Sequence, residues 1–269
     1  MNYKVHPLLN GFFTVSFSSE NDVKFPKVEN IPSFSFLITD ENNIPILVDT
    51  GFDINKIPGS DSTGIIKEKH HLKYNLKKFG FTPLDIKTVI QTHLHWDHSA
   101  NIGLFPNADI FVQKAEIEGL FNLRKNEETS YSPSHWLDSL SRFRLVQGTC
   151  ELRPGLKLIP SSGHTEGHQS VEIKTADKTV TLIGDSPFSY EWLWTLIPDE
   201  QWAEFKSGDG SRFYWLNKSA PILKEWLKNQ PVFVCPDNMD QDMKTSPDTE
   251  KKEVKIFSHD PGLIGKEII

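Results

Sequence analysis

Four side chains able to bind a metal ion fall within six residues: His93, His95, Asp97 and His98, in the stretch Thr92-His93-Leu94-His95-Trp96-Asp97-His98. Imidazole nitrogens and carboxylate oxygens are the ligands of catalytic zinc, which keeps one position open for water. The apolar run Thr88-Val89-Ile90 leads in and reads as a short buried strand. On an extended chain His93 and His95 point to the same side. Asp97 and His98 lie just past the strand end and can turn toward an adjacent position. One short segment can thus feed two metals. A lone buried histidine is ordinarily a hydrogen-bonded core residue, but three histidines and an aspartate in His-x-His-x-Asp-His order are hard to account for by packing. The same donors suit Fe and Mn as well as Zn²⁺.

Three later segments carry further candidate ligands: Gly163-His164-Thr165-Glu166-Gly167-His168, Leu182-Ile183-Gly184-Asp185 and Ile256-Phe257-Ser258-His259-Asp260. With the first motif they occur in the order found in the metallo-β-lactamase superfamily, which the chain resembles over roughly residues 30 to 262. Within it, Ile31-Pro32-Ser33-Phe34-Ser35-Phe36-Leu37-Ile38, Asp97-His98-Ser99-Ala100-Asn101 and Ser162 to Ser170 are similar to the N-acyl homoserine lactonase-like branch.

The resemblance implies an α+β fold: a four-layer αββα sandwich, two mixed β-sheets face to face with helices outside, in a single domain over residues 1–269. It implies two Zn²⁺ per chain. His93, His95 and His164 would hold the first, Asp97, His98 and His259 the second, and Asp185 would bridge them. Asp237, also after a strand, is a rival to His259. His168 reads as a supporting residue rather than a ligand, and Asp49, in the Asp49-Thr50-Gly51 turn, as a candidate support for the metal loop. A water between two such metals loses a proton near neutral pH and becomes a nucleophile. The expected reaction is opening of a lactone, an acyl homoserine lactone among the candidates, or cleavage of a related ester, with Asp97 relaying the proton. The branch usually places a Tyr three residues past the bridging Asp. Here Phe188 stands there and cannot donate a hydrogen bond, so Tyr190 is the candidate catalytic replacement. Phe188, Trp192 and Trp194 are candidate substrate contacts, an apolar wall of the kind ligand pockets use. A thioester hydrolase resembling glyoxalase II is the alternative, disfavoured by the few basic residues near the motifs. A non-catalytic metal-binding relative is the other.

The elements that must position these residues follow from periodicity. Residues 34–39, 45–48, 110–112, 156–159, 170–173, 179–183 and 232–234 read as strands, and 65–79, 114–123 and 215–227 as helices. Residues 240–253 read as a loop. Residues 124–135 form a polar stretch with Pro133. It is a solvated connector or, as insertions there often are in the superfamily, a border of the substrate cleft with Tyr131, His135 or Trp136 as a lid.

The 269 residues carry a net charge of −7, with 37% hydrophobic and 24% charged residues. That is ordinary for a globular chain and disfavours nucleic acid as a partner, which wants a basic surface. The expected partner is a small-molecule lactone, ester or thioester. No run approaches the ~20 apolar residues of a membrane span, and the N-terminus lacks an apolar leader, which reads as no membrane and a cytoplasmic location. Cys150 and Cys235 read as inert thiols. Dimers are common among relatives, so a homodimer is an option that no segment here decides.

Overall fold

The computed structural model describes residues 2–15, 28–57, 63–123, 130–185, 216–233 and 252–269. One mixed sheet of eight strands is built from β1 (Lys4–Val15), β2 (Val28–Thr39), β3 (Pro45–Val48), β4 (Thr63–Ile65), β5 (Thr88–Ile90), β6 (Asp109–Gln113), β7 (Phe143–Val146) and β12 (Val232–Phe233). A second mixed sheet of five holds β8 (Cys150–Arg153), β9 (Leu156–Pro160), β10 (Gln169–Lys174), β11 (Lys178–Leu182) and β13 (Lys252–Ile256). The first has the order β12-β7-β6-β5-β3-β2-β1-β4, parallel from β3 through β12; the second has the order β13-β11-β10-β9-β8, with β11 and β13 parallel.

The strands of the first sheet are apolar on both faces because both are covered. Phe36, Ile38, Ile46, Val48 and Ile90 point into a core shared with Leu158, Val171, Val180 and Leu182 of the second sheet. The alternate residues Leu37, Leu47 and Val89 point the other way, as the two-residue period of a strand requires. There they meet α1 (Leu72–Lys78), α3 (Lys114–Gly119) and α4 (Leu216–Asn229) through Leu72, Leu76, Ile117 and Leu223. Each such fully buried side chain contributes about 1.5–3 kcal/mol. The described helices thus cover the outer face of the eight-stranded sheet. The outer face of the second sheet carries half-buried charge, such as the Lys157–Glu172 pair. No described helix is long and apolar enough to cross a membrane.

The candidate ligands gather where strands end. The motif stretch follows β5 and runs into the one-turn α2 (Trp96–Ser99). Asp185 follows β11, and His259 follows β13. His164 lies in the loop before β10, which is antiparallel to β11 and so begins at the same edge. Buried amides fix the two sheets together there. Gln169 N–H donates to Thr92 O at 2.8 Å, Gln169 Nε2 to Gln91 O at 2.8 Å, and Gln113 Nε2 to Gln169 Oε1 at 2.9 Å.

Several expectations are corrected. The N-terminal segment, where periodicity predicts no element, is a twelve-residue strand. The helix expected over residues 65–79 is confined to Leu72–Lys78, because Thr63–Ile65 pairs with β1 at the sheet edge instead. The helix after β6 stops at Gly119. Lys252 and Glu253, expected in a loop, begin β13. Cys150, expected as an inert thiol, is buried and disulfide-bonded; the other cysteine, Cys235, lies outside the described residues. Tyr131, His135 and Trp136, considered for a lid, are all buried; Tyr131 nonetheless borders the candidate site, its ring 4.7 Å from that of His95.

Candidate metal centre

The motif stretch begins with a buried brace. Asp49 leaves β3 with φ +58°, a conformation Asp tolerates better than most residues. Its Oδ1 accepts from the Thr92 backbone N–H at 2.8 Å, and its Oδ2 from the Thr92 hydroxyl at 2.8 Å and from His98 Nδ1–H at 2.9 Å. Because the Thr92 hydroxyl proton goes to Asp49, its oxygen accepts from His93 Nδ1–H at 3.0 Å. Across the site His259 Nδ1–H donates to Pro32 O at 2.7 Å. In all three rings the proton is thereby held on Nδ1, leaving Nε2 as a bare lone pair turned inward. A metal-binding histidine is oriented by such bonds.

Two groups of donors result. His93, His95 and His164 form one, and Asp97, His98, Asp185 and His259 the other; within each group the ligand atoms lie within 4.8 Å of one another. His164 Nε2 and His95 Nδ1 approach to 3.0 Å, and His259 Nε2 and His98 Nε2 to 3.3 Å. Asp97 Oδ2 lies 3.3 Å from His259 Nε2 and 3.6 Å from His98 Nε2. Asp185 faces both groups. Its Oδ1 is 3.3 Å from the Nε2 atoms of His98 and His259, and its Oδ2 is 3.6 Å from His164 Nε2. His93 Nε2, buried in the first group, has no hydrogen-bond partner among the described residues. A buried orphan nitrogen costs about 1–3 kcal/mol, a cost that coordination removes. The donors present therefore fit two cations.

The electrostatics differ between the groups. Burial, and then the neighbouring imidazoles, hold His93 well below the ordinary imidazole range; burial and then His95 do the same to His164. Burial lowers His95 to about 3. These three are neutral ligands in waiting. In the other group burial also works against charge, but the carboxylates outweigh it. Asp185, Asp97 and Asp49 raise His98 well above its ordinary value, and Asp185 with Asp97 raises His259 to about 9. Burial would raise Asp185, yet His259 and His98 hold it well below the carboxylate range.

His168 is not part of either group. Its Nε2 accepts the Asp185 backbone N–H at 3.1 Å and its Nδ1–H donates to Ser161 Oγ at 2.8 Å, so it aims Asp185, as the sequence suggested. Gly184 makes this contact feasible: it has φ +53°, and a Cβ there would stand 2.5 Å from His168 Nε2. An aromatic wall of Phe13, Phe52 and Trp96 borders the second group, with the Phe13 ring 5.1 Å from that of His259. Sequence reasoning missed it: Phe52 follows the Asp49-Thr50-Gly51 turn and Trp96 lies in the metal motif, but Phe13 is brought to them only by the fold. Tyr190, Phe188, Trp192, Trp194 and Asp237 lie outside the described residues.

A family model described as the metallo-beta-lactamase superfamily matches residues 29–220. An N-acyl homoserine lactonase of Bacillus cereus is 33% identical over 177 residues, covering 62% of this chain and 68% of that one. The N-acyl homoserine lactonase AiiA of Bacillus thuringiensis subsp. kurstaki is 31% identical over 186 residues, covering 65% and 72%. The crystal structure of a variant of B. thuringiensis AiiA, with N-decanoyl-L-homoserine bound at its active site, superposes with a TM-score of 0.62 at 25% identity, covering 97% of this chain and 95% of that one.

Proposed function

The chain belongs to the metallo-β-lactamase superfamily, and on that premise we propose that it is a two-metal lactonase, opening a lactone of the N-acyl homoserine class by adding water to the ring carbonyl. The observation that carries the two-metal part is Asp185, whose two oxygens are turned to two separate groups of imidazoles. The lactone rests on the relatives, which are N-acyl homoserine lactonases at 31–33% identity.

In this reading His93, His95 and His164 would hold one ion and Asp97, His98 and His259 the other, with Asp185 turned to both groups. Nitrogen and oxygen donors without thiolate suit zinc, with Fe and Mn as alternatives. Two such ions would supply Lewis acidity and an activated water. The chain supplies the rest. Thr92, Asp49 and Pro32 fix the tautomers of His93, His98 and His259. Asp97, 3.3 Å from His259, is the acid–base candidate: the ring C–O bond breaks, the leaving oxygen takes a proton, and a hydroxy acid results. Tyr190 in catalysis, and Phe188, Trp192 and Trp194 against the acyl group, complete the proposal on their place in the chain shortly after Asp185.

Proton release on a panel of N-acyl homoserine lactones, other lactones and thioesters tests this reading, with zinc-loaded and chelator-treated protein side by side. Chelator-sensitive release on lactones is expected. Turnover confined to thioesters would replace lactone by thioester hydrolysis.

A further inference from the structure

Glu116 is on α3, outside both donor groups, yet it is 1% exposed. Its Oε1 accepts from the Leu94 backbone N–H at 2.9 Å and from the Tyr131 hydroxyl at 3.3 Å. Its Oε2 accepts from the Thr165 hydroxyl at 2.6 Å and from the Gly167 N–H at 3.2 Å. Leu94 is the residue between His93 and His95, and Thr165 is the residue after His164. Tyr131 lays its ring edge-on against His95 at 4.7 Å between centroids. Gly167 lets the His164 loop come this close, because a Cβ there would stand 1.9 Å from the Glu116 backbone nitrogen.

From this we infer that Glu116 is a positioning residue for the first metal site: one buried carboxylate locks the loop carrying His93 and His95 to the loop carrying His164. The inference rests on the two-metal reading above. The other site has its own supports, Asp49 on His98 and the Pro32 carbonyl on His259. Asp49 also reaches the first site, through Thr92 to His93 Nδ1, but only Glu116 ties the His93–His95 stretch to the His164 loop. A carboxylate offers two acceptor oxygens and no donor, which matches the two backbone N–H groups and two hydroxyls it meets. An amide cannot replace it. With one acceptor oxygen, Glu116→Gln leaves the N–H of either Leu94 or Gly167 facing an NH₂ group.

The test is zinc affinity, measured by chelator competition in two backgrounds. In His259→Ala the ion left is the one at the first site, and adding Glu116→Gln weakens it by about 10- to 100-fold, the usual cost of losing an outer partner. In His164→Ala the ion left is at the second site, and the same addition leaves its affinity unchanged. Equal loss in both backgrounds would make Glu116 a general prop of the fold and overturn the inference, as would no loss in either. Should Glu116→Gln fail to fold, Thr165→Val removes one donor and keeps the carboxylate. It gives a smaller loss at the first site alone, and an unchanged first site overturns the inference. A parent protein that binds a single zinc overturns the two-metal reading instead. A parent that binds two, with a Glu116 variant that binds both as tightly, overturns only the role of Glu116.

Discussion

Replacing Asp49 by Asn removes a charge and almost no volume, and Asn tolerates the positive φ that Asp49 adopts, so the turn itself survives. The consequence is in the hydrogen bonds. Asp49 accepts three: two from Thr92 and one from His98. If the new NH₂ takes the place of Oδ2, it faces His98 Nδ1–H donor to donor. The ring must then move its proton to Nε2, the atom meant for metal. If the NH₂ takes the place of Oδ1, the Thr92 N–H loses its acceptor and His98 keeps only a neutral partner. A hydrogen bond to a charged group contributes about 1.5–3 kcal/mol and a neutral one about 0.5–1.5. The deficit is therefore about 1–2 kcal/mol in either orientation. It appears as zinc affinity lowered by about 5- to 30-fold at the site that uses His98. Competition with a chromophoric chelator measures this, with turnover at saturating zinc recorded alongside. An Asp49→Asn protein that binds both ions as tightly as the parent would refute the claim that Asp49 sets the His98 tautomer.

His164→Ala and His259→Ala should each reduce bound zinc from two per chain to one, at different sites, measured by elemental analysis; a variant that keeps both ions and full rate contradicts the ligand assignment. Gly184→Ala should cost about 1–3 kcal/mol from the left-handed backbone alone, and more from the clash with His168. Denaturant unfolding reads the loss, and parental stability would show that Asp185 is not held in the way described. Acid should destabilise the metal-free protein. Burial lowers both His168 and His135 to about 4, so the folded state keeps them neutral while the unfolded chain takes up protons below about 6.5. Their contribution is present above that pH and is lost as pH falls toward about 4. A thermal midpoint that stays flat from about pH 7 to 5 would contradict this sign.

The candidate donors were legible because most of them sit in short, contiguous motifs at strand ends, and the structure brings His164 together with His93 and His95, and Asp185 and His259 together with Asp97 and His98. His168 was legible as a support for the same reason. Glu116 was not. It is one of two acids on a short helix, flanked by Lys114 and Glu118, which pair on the exposed side, and its donors come from residues 94, 131, 165 and 167, brought together only by the fold. The first strand was hidden because Pro7, Asn10 and Gly11 read as breakers. In the structure Gly11 sits beside a register shift that β1 absorbs against β2. Residue 65 was misread because Ile65 and Ile66 continue a helical spacing, although sheet-edge pairing with Phe12 claims Ile65. The disulfide at Cys150 had no local signature, since neither cysteine has a close cysteine neighbour in the sequence.

The most direct test of a two-metal lactonase is to add zinc stepwise to metal-free protein while following ring opening of an N-acyl homoserine lactone. The account predicts that activity stays low through the first equivalent, rises with the second and levels off at two zinc ions per chain. A plateau at one equivalent, or ring opening that survives complete removal of metal, would contradict it.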